Sequence, residues 1–198
     1  MSARRALSAI IRKIFRQSPL IFVSFVLLSS VPAPLLAQTQ TMAGMDHETH
    51  GPVSARLVQI VQDATRKYLN VNNAKYAGYA PFLGCVTGPD FGAMGIHYVN
   101  GALLNGELYA DQPQALIYEP EGNRKRLVGV EYILDAKTWL KNNPNPPVLE
   151  GQVFQLVASP NRFNLPTFFE LHVWAWRNNP LGAFVDWNTR VSCEHSGQ

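Results

Sequence analysis

The sequence predicts an α+β fold: an N-terminal amphipathic helix packed on a curved, mostly antiparallel sheet in a single domain. Three observations predict it. A 3.6-residue apolar period occurs once, early in the chain, between Val53 and Tyr68. Five or so short apolar runs follow, punctuated by Gly, Pro and Asn, as in strands joined by hairpin turns. The densest of these, Pro166 to Trp187, holds three of the four tryptophans and three phenylalanines in 22 residues. It reads as a core strand, a turn and a second buried segment. A helix first and a run of short strands after it belongs to the α+β class.

Residues 1–37 read as a signal peptide. Arg4, Arg5, Arg12, Lys13 and Arg16 precede the apolar run Leu20 to Leu28, and small or Pro-containing residues lead to Ala37. That run, interrupted by serines and prolines, falls short of the roughly 20 residues of a membrane-spanning helix. Cleavage is expected after Ala37. The product would be periplasmic or secreted, with no stable membrane anchor after cleavage. Arg4-Arg5 raises a twin-arginine route, which the neighbouring residues fit poorly. All five basic residues of this segment leave with it, so 12 basic face 14 acidic residues, a net charge of about −2. A clustered basic surface, which nucleic-acid binding needs, is not supported. About 160 residues remain, one domain's worth.

Residues 38–52 lack apolar periodicity and read as a flexible tail. Met42, Met45, His47 and His50 lie within it. Thioethers suit Cu(I) and imidazoles Cu(II), so the tail is a candidate copper site. The plainer reading is a short tail that happens to hold four such residues.

The domain is expected over 53–198. Val53, Leu57, Val61, Ala64 and Tyr68 share one helix face, with Asp63, Arg66 and Lys67 elsewhere. Val71 to Ala77 extends the helix or forms a second turn, with Gly78 as C-cap and Pro81 stopping it. Ala93 to Val99 reads as a strand ending at the turn pair Asn100-Gly101. Ala115 to Tyr118 and Arg126 to Leu134 flank Pro120-Glu121-Gly122-Asn123 as a hairpin. Asp135 caps a short helix through Trp139, and Asn142 to Pro147 is an extended linker. Gln152 to Val157 and Thr167 to Trp176 are two further strands.

Cys85 and Cys193 are the two cysteines. In an oxidising compartment such a pair is expected to bridge, tying the C-terminus to the loop after the first helix. A reactive thiol would instead need an activating cationic neighbour, and only His195 is near in sequence.

The segments GYAPFLGCVTGPDFGAMGIHYVN, LIYEP, LVGVEYIL and FELHVWAWRNNPLGAFVDWNTRVSC, spread from about Thr65 to Cys193, resemble as a set a group of uncharacterised exported bacterial proteins. The resemblance implies a coherent exported domain containing both cysteines. It implies no activity.

Alternation along strands puts His97 with Gly95 and Val99, Glu131 with Gly129 and Ile133, and His172 with Glu170, Trp174 and Trp176. If these faces line one concavity, His97, Glu131, His172 and Glu170 form a cluster. Two imidazoles and a carboxylate suit zinc, copper or iron, or acid–base chemistry. Against this stands the ordinary core histidine, hydrogen-bonded and structural. Asp186 and Arg190 are expected to pair or to cap a turn. No nucleophile elbow or phosphate loop is present. Three functions follow as expectations: a small-ligand or metal-binding module with a pocket near His97 and His172, an enzyme using His97, His172 and Glu131, or a structural envelope domain. The sequence specifies no cofactor; copper and zinc are the candidates, and a small molecule or metal ion the candidate partner.

Overall fold

The computed structural model describes residues 53–88 and 90–196, so the expected signal peptide and Met/His tail lie outside the described residues. The fold is α+β, with few helices and an antiparallel sheet curled into a half-barrel. Its strands are β1 (Ala80–Gly88), β2 (Gly92–Val99), β3 (Ala115–Glu121), β4 (Arg124–Asp135), β7 (Gln155–Val157) and β8 (Phe168–Val173). They run in the spatial order β1-β2-β3-β4-β8-β7. A separate two-stranded ladder joins β5 (Val148–Leu149) to β6 (Gln152–Val153). Helices α1 (Val53–Thr65) and α2 (Val71–Tyr76) precede the sheet, separated by a 3-10 turn, and α3 (Ala136–Trp139) follows β4. No helix among the described residues is long and apolar enough to cross a membrane.

Each face of the sheet has its own cover. Tyr98, Leu116, Tyr118, Val130, Tyr132, Leu171 and Val173 belong to the main core, which also takes Leu57 and Val61 of α1. Tyrosine suits this layer because three of its hydroxyls find backbone carbonyls: Tyr79 on Pro113, Tyr118 on Tyr68, Tyr132 on Ala110. On the opposite face, Ile117 packs with Trp174 and Val191 in a smaller core. The chain after β8 builds that cover. Asn188 exchanges two backbone hydrogen bonds with Ala93, and Glu119 accepts the Ser192 amide at 3.0 Å. A Cys85–Cys193 disulfide pins the end of the segment to β1, closing a sequence separation of 108 residues.

Local chemistry sets the boundaries. Gly122-Asn123 alone forms the β3–β4 turn, and Pro120 and Glu121 stay paired in the ladder. Asp135 ends β4 and accepts the Thr138 amide at 2.7 Å as N-cap of α3. The chain from Asn142 to Pro147 is turned rather than extended, with the Trp139 indole N–H reaching the Asn145 carbonyl at 2.9 Å. Tyr68 lies in the 3-10 turn after α1 rather than on the helix itself.

Several expected strands are corrected. Cys85 sits in edge strand β1, not in a loop, and β1 is irregular in register between Phe82 and Val86. Gln152 to Val157 is not one strand, because buried Phe154 turns its amide to Pro147 and splits the run. β8 stops at Val173, and the Trp176 and Arg177 amides both bond to the Val128 carbonyl. Val128 is the extra residue of a bulge opposite Ile117 and Tyr118, which leaves its carbonyl free to accept them.

Candidate metal centre

His97, Glu131 and His172 reach one point from three strands. Glu131 and His172 are direct cross-strand partners, and His97 pairs with Ile117 on the intervening β3. Side chains from β2 and β4 must therefore meet over β3, about 9.5 Å across two strand spacings. Ala115, the β3 partner of Glu131, offers only a methyl group there, and Gly129 offers none. A Cβ on Gly129 would sit 2.8 Å from the Val173 carbonyl oxygen, and one on Gly95 (φ 101°) would sit 2.7 Å from that of Tyr118. Both glycines let neighbouring backbone close in beside the cluster.

The resulting geometry is tight. His97 Nε2 lies 3.3 Å from a Glu131 carboxylate oxygen. The two imidazoles meet edge to face, with ring centres 5.9 Å apart. One donor atom from each of His97, Glu131 and His172 falls within 4.8 Å of the others. Trp174 stacks on His172 at 6.2 Å and holds its own indole N–H on the Val185 carbonyl. Glu170 joins a second group with His172 and Asp186, again within 4.8 Å. Asp186 Oδ1 stands 3.7 Å from His172 Nδ1 and accepts from Gln155 at 2.9 Å.

The protonation states follow from burial. His97 and His172 are 7% and 1% exposed, and Glu131 is 5% exposed. Burial lowers the His97 pKa to about 4, the Gly95 backbone acting weakly the other way. It lowers that of His172 to about 3, with neighbouring His97 adding to the shift. Glu131 is raised well above its ordinary range, first by burial and then by the charge of Glu170. Glu170 rises to about 7 through burial and the Asp186 charge, while its hydrogen bond with Glu131 acts oppositely. Asp186 is also raised by burial. Without a cation, burial thus favours neutral imidazoles and the protonated form of Glu131.

Three nitrogens in this cluster lack a well-formed hydrogen bond: both ring nitrogens of His172, and His97 Nδ1, since the Gly95 backbone contact of that ring falls short of hydrogen-bond geometry. A buried imidazole normally bonds through at least one nitrogen. Two zinc–ligand bonds of about 2.0–2.1 Å at a tetrahedral angle place donors about 3.3–3.5 Å apart. The His97–Glu131 separation already meets that figure. The other pairs, within 4.8 Å, need contraction by at most about 1.5 Å.

The sequence-level candidates separate here. His97, Glu131, His172, Glu170 and Trp174 are brought together. Trp176 is not: it leaves the His172 face, and its indole N–H bonds to the Thr65 hydroxyl at 2.9 Å. Met42, Met45, His47 and His50 lie outside the described residues. Asp186 is the site residue that sequence reasoning passes over as a partner of Arg190. Arg190 instead bonds Asn178, and the signal available was a lone carboxylate between Val185 and Trp187. No protein-family model, curated protein or solved structure matches the chain.

Proposed function

We propose that the chain is an exported metal-binding module that holds one first-row divalent cation, zinc or copper, between His97, Glu131 and His172. The observation that supports this most directly is the set of three buried, unpartnered imidazole nitrogens beside a carboxylate. An ion held by His97 Nε2, Glu131 and one ring nitrogen of His172 would satisfy one of these nitrogens and replace the Glu131 proton, lowering the burial penalty of the cluster. Two imidazoles and one carboxylate form a donor set common to zinc and non-haem iron sites and acceptable to copper. Deep burial of all three ligands supports retention of the ion over turnover at it. Export is the companion proposal, resting on the basic, apolar and small-residue order of residues 1–37 and compatible with the disulfide. The N-terminal amphipathic helix is assigned to closing the tyrosine-rich face.

Titration of metal-free full-length protein with Zn(II) and Cu(II), followed by calorimetry, tests the reading. One equivalent should bind tightly. Removing a direct ligand in His97→Ala or His172→Ala should weaken binding by more than the roughly 10–100-fold typical of outer-shell residues. Equal stoichiometry and affinity in both variants would reject the site.

A further inference from the structure

A large cavity among the described residues adjoins the polar cluster but is separate from it. It is a half-open cleft of about 760 Å³, inside the roughly 300–1,000 Å³ range of small-molecule sites. Its floor continues the sheet face that carries the histidines. Val99 is two residues beyond His97, Ile133 two beyond Glu131, and Phe168 two before Glu170, so alternation puts each on the same face as its neighbour. Register confirms the contact between the two regions: Phe82 is the cross-strand partner of His97, Ile133 that of Glu170, and both line the cavity. Leu104, Trp139 and Leu165 add further apolar wall.

The lining also limits the charge of an occupant. No Lys, Arg or His is among the described lining residues, and the single ionisable group is Asp135. Its carboxylate is engaged as the N-cap of α3. Asn105, Thr138, Asn142, Asn143 and Thr167 add neutral polar groups, but no cation is there to offset the desolvation of an anionic head group. Leu104 and Phe82 remain 49% and 42% exposed at the cavity, so its apolar wall is open to an occupant. A half-open cleft of this volume fits one small molecule, whereas a second protein copy would present a broader, flatter contact.

We propose that this cavity is a binding site for an uncharged, apolar small molecule, independent of whether the histidine cluster holds metal. The probe is N-phenyl-1-naphthylamine, an uncharged fluorophore, titrated into the full-length protein in EDTA so that metal occupancy plays no part. Saturable one-to-one binding is expected. Leu104→Glu places a carboxylate in the wall and should weaken binding by about tenfold or more. Leu181→Glu, at an equally exposed leucine outside the cavity, should leave it unchanged and controls for general surface effects. Dodecanol should displace the probe and laurate, of the same chain length, should not. Equal displacement by laurate would overturn the uncharged class. Absence of saturable binding, or equal loss in both glutamate variants, would overturn the site. So would a dimer in sedimentation that Leu104→Glu dissociates, since a second copy would then be the occupant.

Discussion

Replacing His172 by Phe should make the metal-free protein more stable while abolishing its response to metal. The substitution removes two of the three unpartnered nitrogens and keeps a flat ring against Trp174. Each orphaned buried polar atom costs about 1–3 kcal/mol, so the gross gain is about 2–6 kcal/mol. The slightly larger ring offsets about 1–3 kcal/mol of that through overpacking, leaving a net gain near 2 kcal/mol. For a chain of this length, roughly 2–4 °C per kcal/mol converts it to a Tm rise of about 4–8 °C. Zinc at a hundredfold excess over Kd should stabilise the unsubstituted protein by about 2.7 kcal/mol and the variant not at all. Thermal unfolding of both proteins, in EDTA and in zinc, gives all four values. The variant should lead in EDTA and lose that lead in zinc. A variant less stable than the parent in EDTA would refute the reasoning, because the His172 nitrogens would then be hydrogen-bonded in the metal-free state, through buried water.

Three further outcomes are expected. Cys85→Ala with Cys193→Ala should lower stability by about 2–4 kcal/mol, below the roughly 5 kcal/mol that chain entropy gives for a closed loop of this length, and the parent, denatured but unreduced, should titrate no free thiol. Asp135→Ala should cost about 1 kcal/mol by uncapping α3. The Thr138 hydrogen bond lowers the Asp135 pKa, so its stabilisation is present above the ordinary carboxylate value and fades as pH falls through the lowered one. Denaturation curves for parent and Asp135→Ala should therefore converge in acid and diverge near neutrality. Intact-mass measurement of the exported product should give a chain beginning at Gln38, and retention of residues 1–37 would refute the signal assignment.

The cluster is legible in the sequence to the extent that alternation is. Period two puts an ionisable group on each of three strands, and apolar neighbours mark those strands as buried. Which strands adjoin is a matter of register, and no local pattern near His97 states that it faces Ile117, or that Glu131 faces His172. The curl that brings side chains from β2 and β4 together over Ala115 is equally non-local. β1 is masked because Pro81, Gly84 and Gly88 read as breakers. An edge strand tolerates all three, since one side of its ladder needs no partner. Trp176 defeats the alternation rule for a different reason: the Val128 bulge captures the chain after Val173 and turns it out of the sheet. Asp186 needs that same turn to face His172, so no reading confined to one strand could place it.

The two margins of the half-barrel bear on how the protein behaves at high concentration. An open sheet exposes unpaired amides and carbonyls along its outer strands, and a long flat margin invites pairing with another molecule. Here one margin, β1, changes register twice and carries the disulfide to the C-terminal segment. The other, β7, is three residues long. Neither offers a neighbouring molecule an uninterrupted run of strand-length pairing sites. Edge-to-edge polymerisation of the unclosed sheet is thereby disfavoured, although Leu156 stands half-exposed on its shorter rim.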